Sequence, residues 1–561
     1  MSAAVVTGVA AADAAPAPPP IAPRLLTELL DVAVARHGAR PAIDFLGRRW
    51  TYADLAEQVR RAARGLQDIG IAPGMRVGLC LPNCPYFVIF YFAILRVGGV
   101  VVNYNPLYVE RELRQQICDS GTRVMIVPDL ALIHGKVAAL ADETGLDHIV
   151  VCPMTGILPP LKALGFRLFK RSEQARIPRD ARHVGYRDLV AHDADPDPVA
   201  VQPGDLAVLQ YTGGTTGIPK GAMLTHANLA ANSAQMVAHV GRLRDMQERT
   251  LGVLPMFHVF ALTCVLNYSV DTAAEMILLP RFEMKSFLAT MKRTRPTQFF
   301  GVPTLYNALS RVAKADLAAF SSIRVCISGG APLPLEIRRA FEAATGVGVV
   351  EGYGLTEAAP IIACNPIGGV VKDNSCGPAF AGTVLEIRDL ADPARLLPQG
   401  ALGEVCVRGP QVMTGYWCRP DETQAVFVDG ALRTGDVGYL DEDLYLFLVD
   451  RIKDLILCGG YNVYPRTIED ALYEHPAVAE AVVIGVPDDY RGQAPKAFVA
   501  LRPGGQVTTA ALHDFLTQHI SKIEMPREIE IRDSLPRTLI GKLSKKELVA
   551  EEAARAAAGG R

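Results

Sequence analysis

The chain has 561 residues and a net charge of -2, half of its residues are apolar, and 21% are charged. A chain longer than ~250 to 300 residues is expected to form more than one domain, and the balanced charge argues against a nucleic-acid partner. The eleven cysteines are scattered and lack the spacing of a metal site, so we interpret them as core thiols of a cytoplasmic protein.

The first 23 residues are rich in alanine and proline and lack a basic segment followed by an apolar one. We therefore predict a disordered leader over residues 1–23 and no secretory signal. The most apolar stretch, residues 86–95, ends at Arg96 and is much shorter than the ~20 residues that a membrane-spanning helix needs. No transmembrane anchor is predicted.

Helices and strands alternate through the following segment. Thr51 and Asp54 are typical of a helix N-terminus, and the helix is predicted to end at Gly70. The alternation continues with strand 76–81, a helix to Val97, strand 100–103, helix 110–118 and strand 123–128. This βαβ rhythm predicts an α/β fold with a doubly wound, largely parallel sheet.

Two changes of pattern divide the rest of the chain. Residues 157–182 mix Pro, Leu and Phe with Lys and Arg and are predicted to form an insertion. After residues 448–453 the pattern becomes that of a small α+β unit, with strands near 481–485 and 496–501. We predict an N-terminal domain over residues 24–449 and a C-terminal domain over residues 450–561.

A loop rich in Gly and Thr follows the apolar strand 206–210. Backbone N–H groups at glycines converge on anions, and hydroxyls and a lysine add further donors. The segment lacks the spacing of a P-loop, and by itself it would also fit a simple turn. Its candidate phosphate-binding residues are Thr212, Gly213, Gly214, Thr215, Thr216, Gly217 and Lys220.

A second cluster of candidate nucleotide-binding residues lies in residues 351–357. Tyr353 could stack on a base, Thr356 could donate to a phosphate, and Glu357 could hold Mg²⁺ through a hard oxygen. Further along, Asp436 could accept hydrogen bonds from both ribose hydroxyls, with Arg451 beyond it. Taken singly, a satisfied buried Glu357 and a surface ion pair between Asp436 and Arg451 are equally open.

Taken together and in order, these motifs resemble the adenylate-forming superfamily of acyl-CoA synthetases, luciferases and peptide-synthetase adenylation domains. The resemblance spans residues 25–548. Its motifs are residues 212–220, 255–258, 328–332, 353–357, 403–404, 433–436, 451–454, 459–465 and 535–542.

The resemblance implies an N-terminal body of doubly wound α/β subdomains with an accessory β-subdomain, plus a small mobile α+β C-terminal domain. It also implies that Lys542 neutralises charge during adenylation and that Lys453 is the hinge. Thr356, Glu357 and the acyl-site His258 would complete the catalytic set. Further expected nucleotide-binding residues are Gly330, Ala331, Glu351, Gly352 and Gly354, with Gly459 and Gly460 beside coenzyme A.

The expected reaction is activation of a carboxylic acid by ATP and Mg²⁺, followed by transfer to coenzyme A. Residues 105–113, 209–217, 258–262 and 409–413 look most like bacterial long-chain fatty acyl-CoA ligases, and Phe299, Phe300 and Val302 add apolar character. Medium-chain and aryl acids stay open as substrates. Two further hypotheses are an enzyme that loads a carrier protein, which the absence of a carrier segment after Lys542 disfavours, and a non-catalytic lipid-binding protein.

The chain departs from the superfamily's common pattern at Arg466 and Thr467, where a small or polar residue and Glu are usual, and at Cys376, where an aliphatic residue is usual. Residues 157–182 carry apolar and basic side chains suited either to a reversible contact with the inner face of the cytoplasmic membrane or to a solvated loop. A homodimer is a further expectation.

Overall fold

The computed structural model describes residues 21–212, 219–241, 247–313, 317–459, 461–488, 490–538 and 542–559. The predicted leader, residues 1–23, lies almost entirely outside these ranges. The described strands are β1 Pro41–Phe45, β2 Arg48–Thr51, β3 Arg76–Leu79, β4 Val100–Asn103, β5 Val124–Pro128, β6 His148–Cys152, β7 His183–Gly185, β8 Leu206–Thr212, β9 Lys220–Thr225, β10 Arg249–Gly252, β11 Glu275–Leu278, β12 Gln298–Gly301, β13 Val325–Ser328, β14 Val350–Gly354, β15 Ile361–Cys364, β16 Val384–Arg388, β17 Gly403–Arg408, β18 Gly415–Tyr416, β19 Phe427–Val428, β20 Ala431–Leu440, β21 Leu446–Arg451, β22 Ile456–Cys458, β23 Tyr461–Val463, β24 Val478–Asp488, β25 Gly492–Leu501 and β26 Glu528–Arg532.

The described α-helices are Leu26–His37, Tyr52–Asp68, Pro85–Arg96, Glu110–Ser120, Ala131–Thr144, Pro160–Phe169, Tyr186–Leu189, His226–Val240, Val259–Ala261, Tyr268–Asp271, Met284–Thr294, Pro303–Leu309, Leu335–Thr345, Pro420–Ala425, Pro465–Tyr473, Thr509–Leu516 and Lys545–Gly559. A π-helical stretch, Leu262–Asn267, joins two of them.

Two large sheets form the N-terminal body. One has the strand order β18-β9-β8-β4-β3-β5-β6-β7 and the other β15-β14-β13-β12-β10-β11-β1-β2. Neighbouring strands are parallel through the middle of each sheet, and antiparallel pairs occur only toward the edges. The predicted doubly wound α/β body is therefore confirmed. Its carboxyl strand ends provide the crevice in which such folds bind ligands.

The local sequence signals account for the first elements. The Thr51 side chain accepts from the Asp54 backbone N–H, and the Asp54 carboxylate accepts in return from the Thr51 backbone N–H, which fixes the start of helix Tyr52–Asp68. Helix Pro85–Arg96 buries every residue but the last, so its apolar sequence belongs to a core helix. No helix among the described residues is long and apolar enough to cross a membrane.

Two smaller sheets follow in the chain. Strands β16, β17, β20, β19 and β21 form the expected accessory β-sheet, whereas β22 to β26 form a sheet made only of residues from Ile456 onward. We call the part of the chain from Asp454 onward the C-terminal unit. The predicted α+β pattern of this unit is present, with helices Pro465–Tyr473 and Thr509–Leu516 beside its sheet. The boundary between residues 449 and 450 stays a prediction.

The cysteines and the insertion complete the outline. All eleven cysteines are free thiols, nine are buried, and Cys118 and Cys418 are exposed.

The insertion 157–182 contains the regular helix Pro160–Phe169, which the broken sequence rhythm did not indicate. Ala163 and Phe166 of this helix pack against the core, and its other face is exposed.

Candidate active site

A cavity of about 940 Å³ lies where the two large sheets, the accessory sheet and the C-terminal unit meet. It is reached by the carboxyl ends of β4 and β8 from one large sheet and of β13 and β14 from the other, as the topology requires. The predicted site residues that line it are Thr212, Lys220, His258, Gly330, Gly352, Tyr353, Gly354, Thr356, Glu357, Asp436, Arg451, Lys453 and Lys542.

One end of the cavity is organised around the carboxylate of Asp436. The Tyr353 hydroxyl donates to Oδ2 at 2.5 Å, and the Arg451 Nε donates to Oδ1 at 3.0 Å. The Glu404 carboxylate accepts from Arg433 and from the Gly435 backbone, which braces the turn before Asp436. An aromatic ring, a carboxylate and a guanidinium therefore converge at a distance suited to a base and its ribose.

A second group of contacts surrounds the candidate phosphate and metal residues. Lys220 forms an ion pair with Glu422, and its Nζ lies 5.2 Å from the centroid of the Tyr416 ring. The Tyr416 hydroxyl donates to Glu357 Oε1 at 2.7 Å. Strand β18, which carries Tyr416, pairs with β9, which carries Lys220. Tyr416 therefore contacts both Lys220 and Glu357.

Lys542 reaches the cavity from the C-terminal unit. Its Nζ would lie 3.2 Å from a methyl group built on Gly330, a tight contact at a residue whose positive φ of 81° also favours glycine. Burial and the positive charge of Arg451 lower the pKa of Lys542 to about 8. Burial and the charge of Lys542 lower the pKa of His258 to about 3, so this imidazole is neutral at physiological pH.

A small apolar recess of about 20 Å³ adjoins these two residues. Leu254, Phe260 and Val302 line it, and the Phe260 ring would touch a methyl group on Gly329 at 3.0 Å. Phe299 and Phe300, whose apolar character supported the fatty-acid prediction, are buried in the core and do not line the recess. The recess can serve as an entrance for an alkyl chain only if the surrounding side chains move apart.

The remaining predicted site residues fall elsewhere. Glu351 and Ala331 do not line the cavity among the described residues, nor does Gly459, so their roles stay predictions. Residues 213–217, which include Gly213, Gly214, Thr215, Thr216 and Gly217, and the single residue Gly460 lie outside the described part of the chain.

Two residues that the sequence did not single out contact predicted site residues. Tyr416 and Glu422 contact Glu357 and Lys220, and they stand just after the motif 409–413. No local pattern marks them, because their position depends on a strand pairing between segments that are far apart in sequence.

Fold and cavity together define an α/β nucleotide-binding enzyme in which a lysine from a separate unit completes the site. The chain belongs to the AMP-binding enzyme family: the AMP-binding enzyme model matches residues 30–417, and the model of the AMP-binding enzyme C-terminal domain matches residues 467–542.

Named relatives cover nearly the whole chain. It is 40% identical to a long-chain-fatty-acid–CoA ligase of Bacillus subtilis over 95% of each chain. It is 33% identical to 4-coumarate–CoA ligase 2 of Oryza sativa, with 91% of this chain and 88% of that protein covered. ATP-bound MatB from Rhodopseudomonas palustris is 30% identical and superposes with a TM-score of 0.82, over 94% of this chain and 98% of that one; for apo MatB the TM-score is 0.74.

The lowered pKa of Lys542 predicts a pH limit on adenylation. The lysine loses its charge as the pH rises through about 8, so kcat/KM for ATP should fall above that pH. Lys542→Arg should shift this alkaline decrease in kcat/KM to higher pH, because a guanidinium stays protonated. Acid-dependent pyrophosphate release between pH ~6 and ~10 measures both profiles. An identical alkaline limb in the two proteins would contradict the assignment.

Proposed function

We propose that this protein is an ATP-dependent ligase that converts a long-chain fatty acid to its acyl adenylate and then to acyl-CoA. The observation that carries the proposal is the position of Lys542, which enters the same cavity as Tyr353 and Asp436 from a separate unit. Neutral His258 lines both this cavity and the apolar recess. Polar groups for a nucleotide thus adjoin an apolar entrance for an acid.

The chemistry follows from the charges. The acid's carboxylate oxygen attacks the α-phosphorus of ATP, the bond to the β-phosphate oxygen breaks, and pyrophosphate leaves. A cation aimed at the developing charge in a dry site is worth ~3 to 4 kcal/mol by analogy with other electrostatic stabilisers. In this proposal Lys542 supplies that cation, and Thr356 can donate to the α-phosphate. In the second step the thiol of coenzyme A attacks the acyl carbon and AMP leaves.

Glu357 fits a role in holding Mg²⁺. It lines the cavity and uses Oε1 to accept from Tyr416, which fixes its orientation. Within the described ranges no three acidic, histidine or cysteine side chains form a metal-binding group, and Mg²⁺ bound through one carboxylate and substrate phosphates needs none. When bound, the ion would neutralise phosphate charge, while Lys220 would contact the phosphates directly.

The second step requires a different arrangement, because Lys542 has no role once pyrophosphate has left. We propose that the C-terminal unit rotates about Lys453, which withdraws the lysine and admits coenzyme A near Gly459. The better superposition on ATP-bound than on apo MatB supports the view that the present arrangement is the adenylating one.

The choice of acid rests on the relatives. Enzymes named long-chain-fatty-acid–CoA ligase are 36% to 40% identical to this chain over most of its length, whereas the 4-coumarate enzyme is 33% identical. Medium-chain and aryl acids are the alternatives.

We also place the protein in the cytoplasm, since free buried cysteines are typical of a reducing compartment. The homodimer stays a prediction that light scattering would check.

The substrate proposal predicts the outcome of an acid panel. Palmitate or oleate should give the highest kcat/KM for coenzyme A-dependent pyrophosphate release, about tenfold or more above octanoate, because each buried methylene adds binding energy. Acetate and benzoate serve as the short and aromatic members. If acetate or benzoate gives a higher kcat/KM than palmitate and oleate, the ligase assignment stands but the long-chain assignment is wrong.

Lys542→Ala should separate the two half-reactions. We expect adenylation to lose kcat by ~100-fold or more, because the charge acts mainly in the transition state, while supplied acyl adenylate is still converted to thioester. Lys220→Ala should raise the KM for ATP as well, since Lys220 is assigned to ground-state phosphates.

The control is Lys522→Ala, which removes an exposed lysine of the same unit outside the cavity. All variants are first compared by thermal melting. Equal loss of both half-reactions in a folded Lys542→Ala protein would refute the role given to this lysine.

We further propose that the helix Pro160–Phe169 makes a reversible contact with anionic lipid. Leu161, Leu164 and Leu168 recur at helical spacing on the face opposite Phe166, and their exposed fractions are 85%, 55% and 64%. Residues 157–182 carry seven basic and two acidic side chains, a net charge of +5 in a chain of net charge -2. An apolar stripe surrounded by cations is the pattern of an interfacial helix.

Vesicle sedimentation tests this contact. The triple variant Leu161→Ser, Leu164→Ser, Leu168→Ser should lose most of its binding to vesicles that contain phosphatidylglycerol, and added salt should weaken binding of the intact protein. Leu396→Ser is the matched control, because Leu396 is 58% exposed outside this helix. Equal sedimentation of the triple variant and the intact protein would leave the helix as a solvated surface element.

A further inference from the structure

Cys376 contacts the carboxylate of Glu351, and the charge of Arg466 acts on the same carboxylate; both are positions at which the chain departs from the superfamily's usual sequence. Glu351 lies on β14 behind the cavity and is buried. Its Oε1 accepts from the Leu333 backbone N–H at 3.3 Å, and the Cys376 thiol lies 4.0 Å from the same oxygen. The charge of Arg466 acts on this carboxylate from the C-terminal unit.

The arginine is held by groups on both sides of the hinge. Its side chain is only 11% exposed. Nη1 donates to the Leu448 carbonyl at 3.0 Å, and the backbone N–H donates to Asp450 Oδ2 at 2.9 Å; both partners precede Lys453 in the chain. Its own helix contributes Asp470, whose Oδ2 lies 3.5 Å from Nε.

The positive charge of Arg466 partly offsets the cost of burying the Glu351 carboxylate. A carboxylate removed from water favours the neutral form, and burial raises the pKa of Glu351 to about 7 even though Arg466 opposes that shift. If the C-terminal unit rotated about Lys453, the arginine would lose the Leu448 carbonyl and Glu351 would lose its compensating charge. Removing one partner of a buried charge pair is unfavourable.

We propose that Arg466 is a positioning residue that holds the C-terminal unit in the adenylating orientation through its hydrogen bond to the Leu448 carbonyl, with its charge acting on Glu351. This inference rests on the proposed two-step reaction. Arg466 would thereby favour the orientation that inserts Lys542 over the orientation that admits coenzyme A. A second contact across the same boundary, from Asn307 Nδ2 to the Ala479 carbonyl at 3.4 Å, is too long to do this alone.

Separate measurement of the half-reactions tests the proposal. Arg466→Asn should lower acid-dependent pyrophosphate release about 5- to 10-fold, since it removes the charge that faces Glu351. Thioester formation from supplied acyl adenylate should be unchanged or faster, and the KM for ATP should stay within about twofold, because no nucleotide contact is altered. Arg466→Lys retains a charge without the guanidinium geometry and should fall between the two proteins.

Arg527→Asn is the matched control, because Arg527 is 58% exposed and contacts Asp488 and the Pro487 carbonyl of its own unit. It should leave both half-reactions unchanged. A folded Arg466→Asn protein that loses both half-reactions equally, or neither, would overturn the inference while the ligase assignment stands. Absence of acid-dependent pyrophosphate release in the unsubstituted protein would instead refute the proposed function itself.

Discussion

The carboxylate of Asp436 connects three parts of the molecule. It belongs to β20 of the accessory sheet, it accepts from Tyr353 at the end of β14, and it accepts from Arg451, its register partner on β21 and two residues before the proposed hinge, Lys453. A hydrogen bond to an ionised oxygen is about twice as strong as a neutral one, so both contacts are strong restraints. The relative positions of β14, the accessory sheet and the last residue of β21, at the end of the cavity proposed for the nucleotide, are therefore restrained through the same two oxygens.

The cavity is lined by several cationic side chains, among them Lys220, Arg451 and Lys542. Burial and the charge of Arg451, itself paired with Asp436, lower the pKa of Lys542. Lys220 is paired with Glu422. A bound triphosphate would favour the charged form of Lys542, because a polyanion stabilises a nearby cation. In the proposed reaction this interaction would contribute most in the transition state, where negative charge develops.

The sequence predicts those parts of this arrangement that local signals encode. Thr51 and Asp54 mark their helix because a capping box is complete within four residues, and Tyr353 with Glu357 stands out because both lie in one short glycine-rich segment. Tyr416 could not be predicted: Thr414 and Met223, whose contact accompanies the pairing of β18 with β9, are 191 residues apart. Helix Pro160–Phe169 does not stand out either, because Pro159 and Pro160 at its start interrupt the preceding rhythm and its leucines are exposed rather than core residues.

Strand β14 connects the remaining features. Two residues apart, it carries Tyr353, which contacts the carboxylate of Asp436, and Glu351, on which the charge of Arg466 acts from the C-terminal unit. A displacement of the C-terminal unit that moved Arg466 would change the charge beside one end of this short strand. The same displacement would withdraw Lys542 from Gly330. Within this proposal, Arg466 and Lys542 act on the orientation of the C-terminal unit, because their contacts with Leu448 and Gly330 cross from that unit to the rest of the chain.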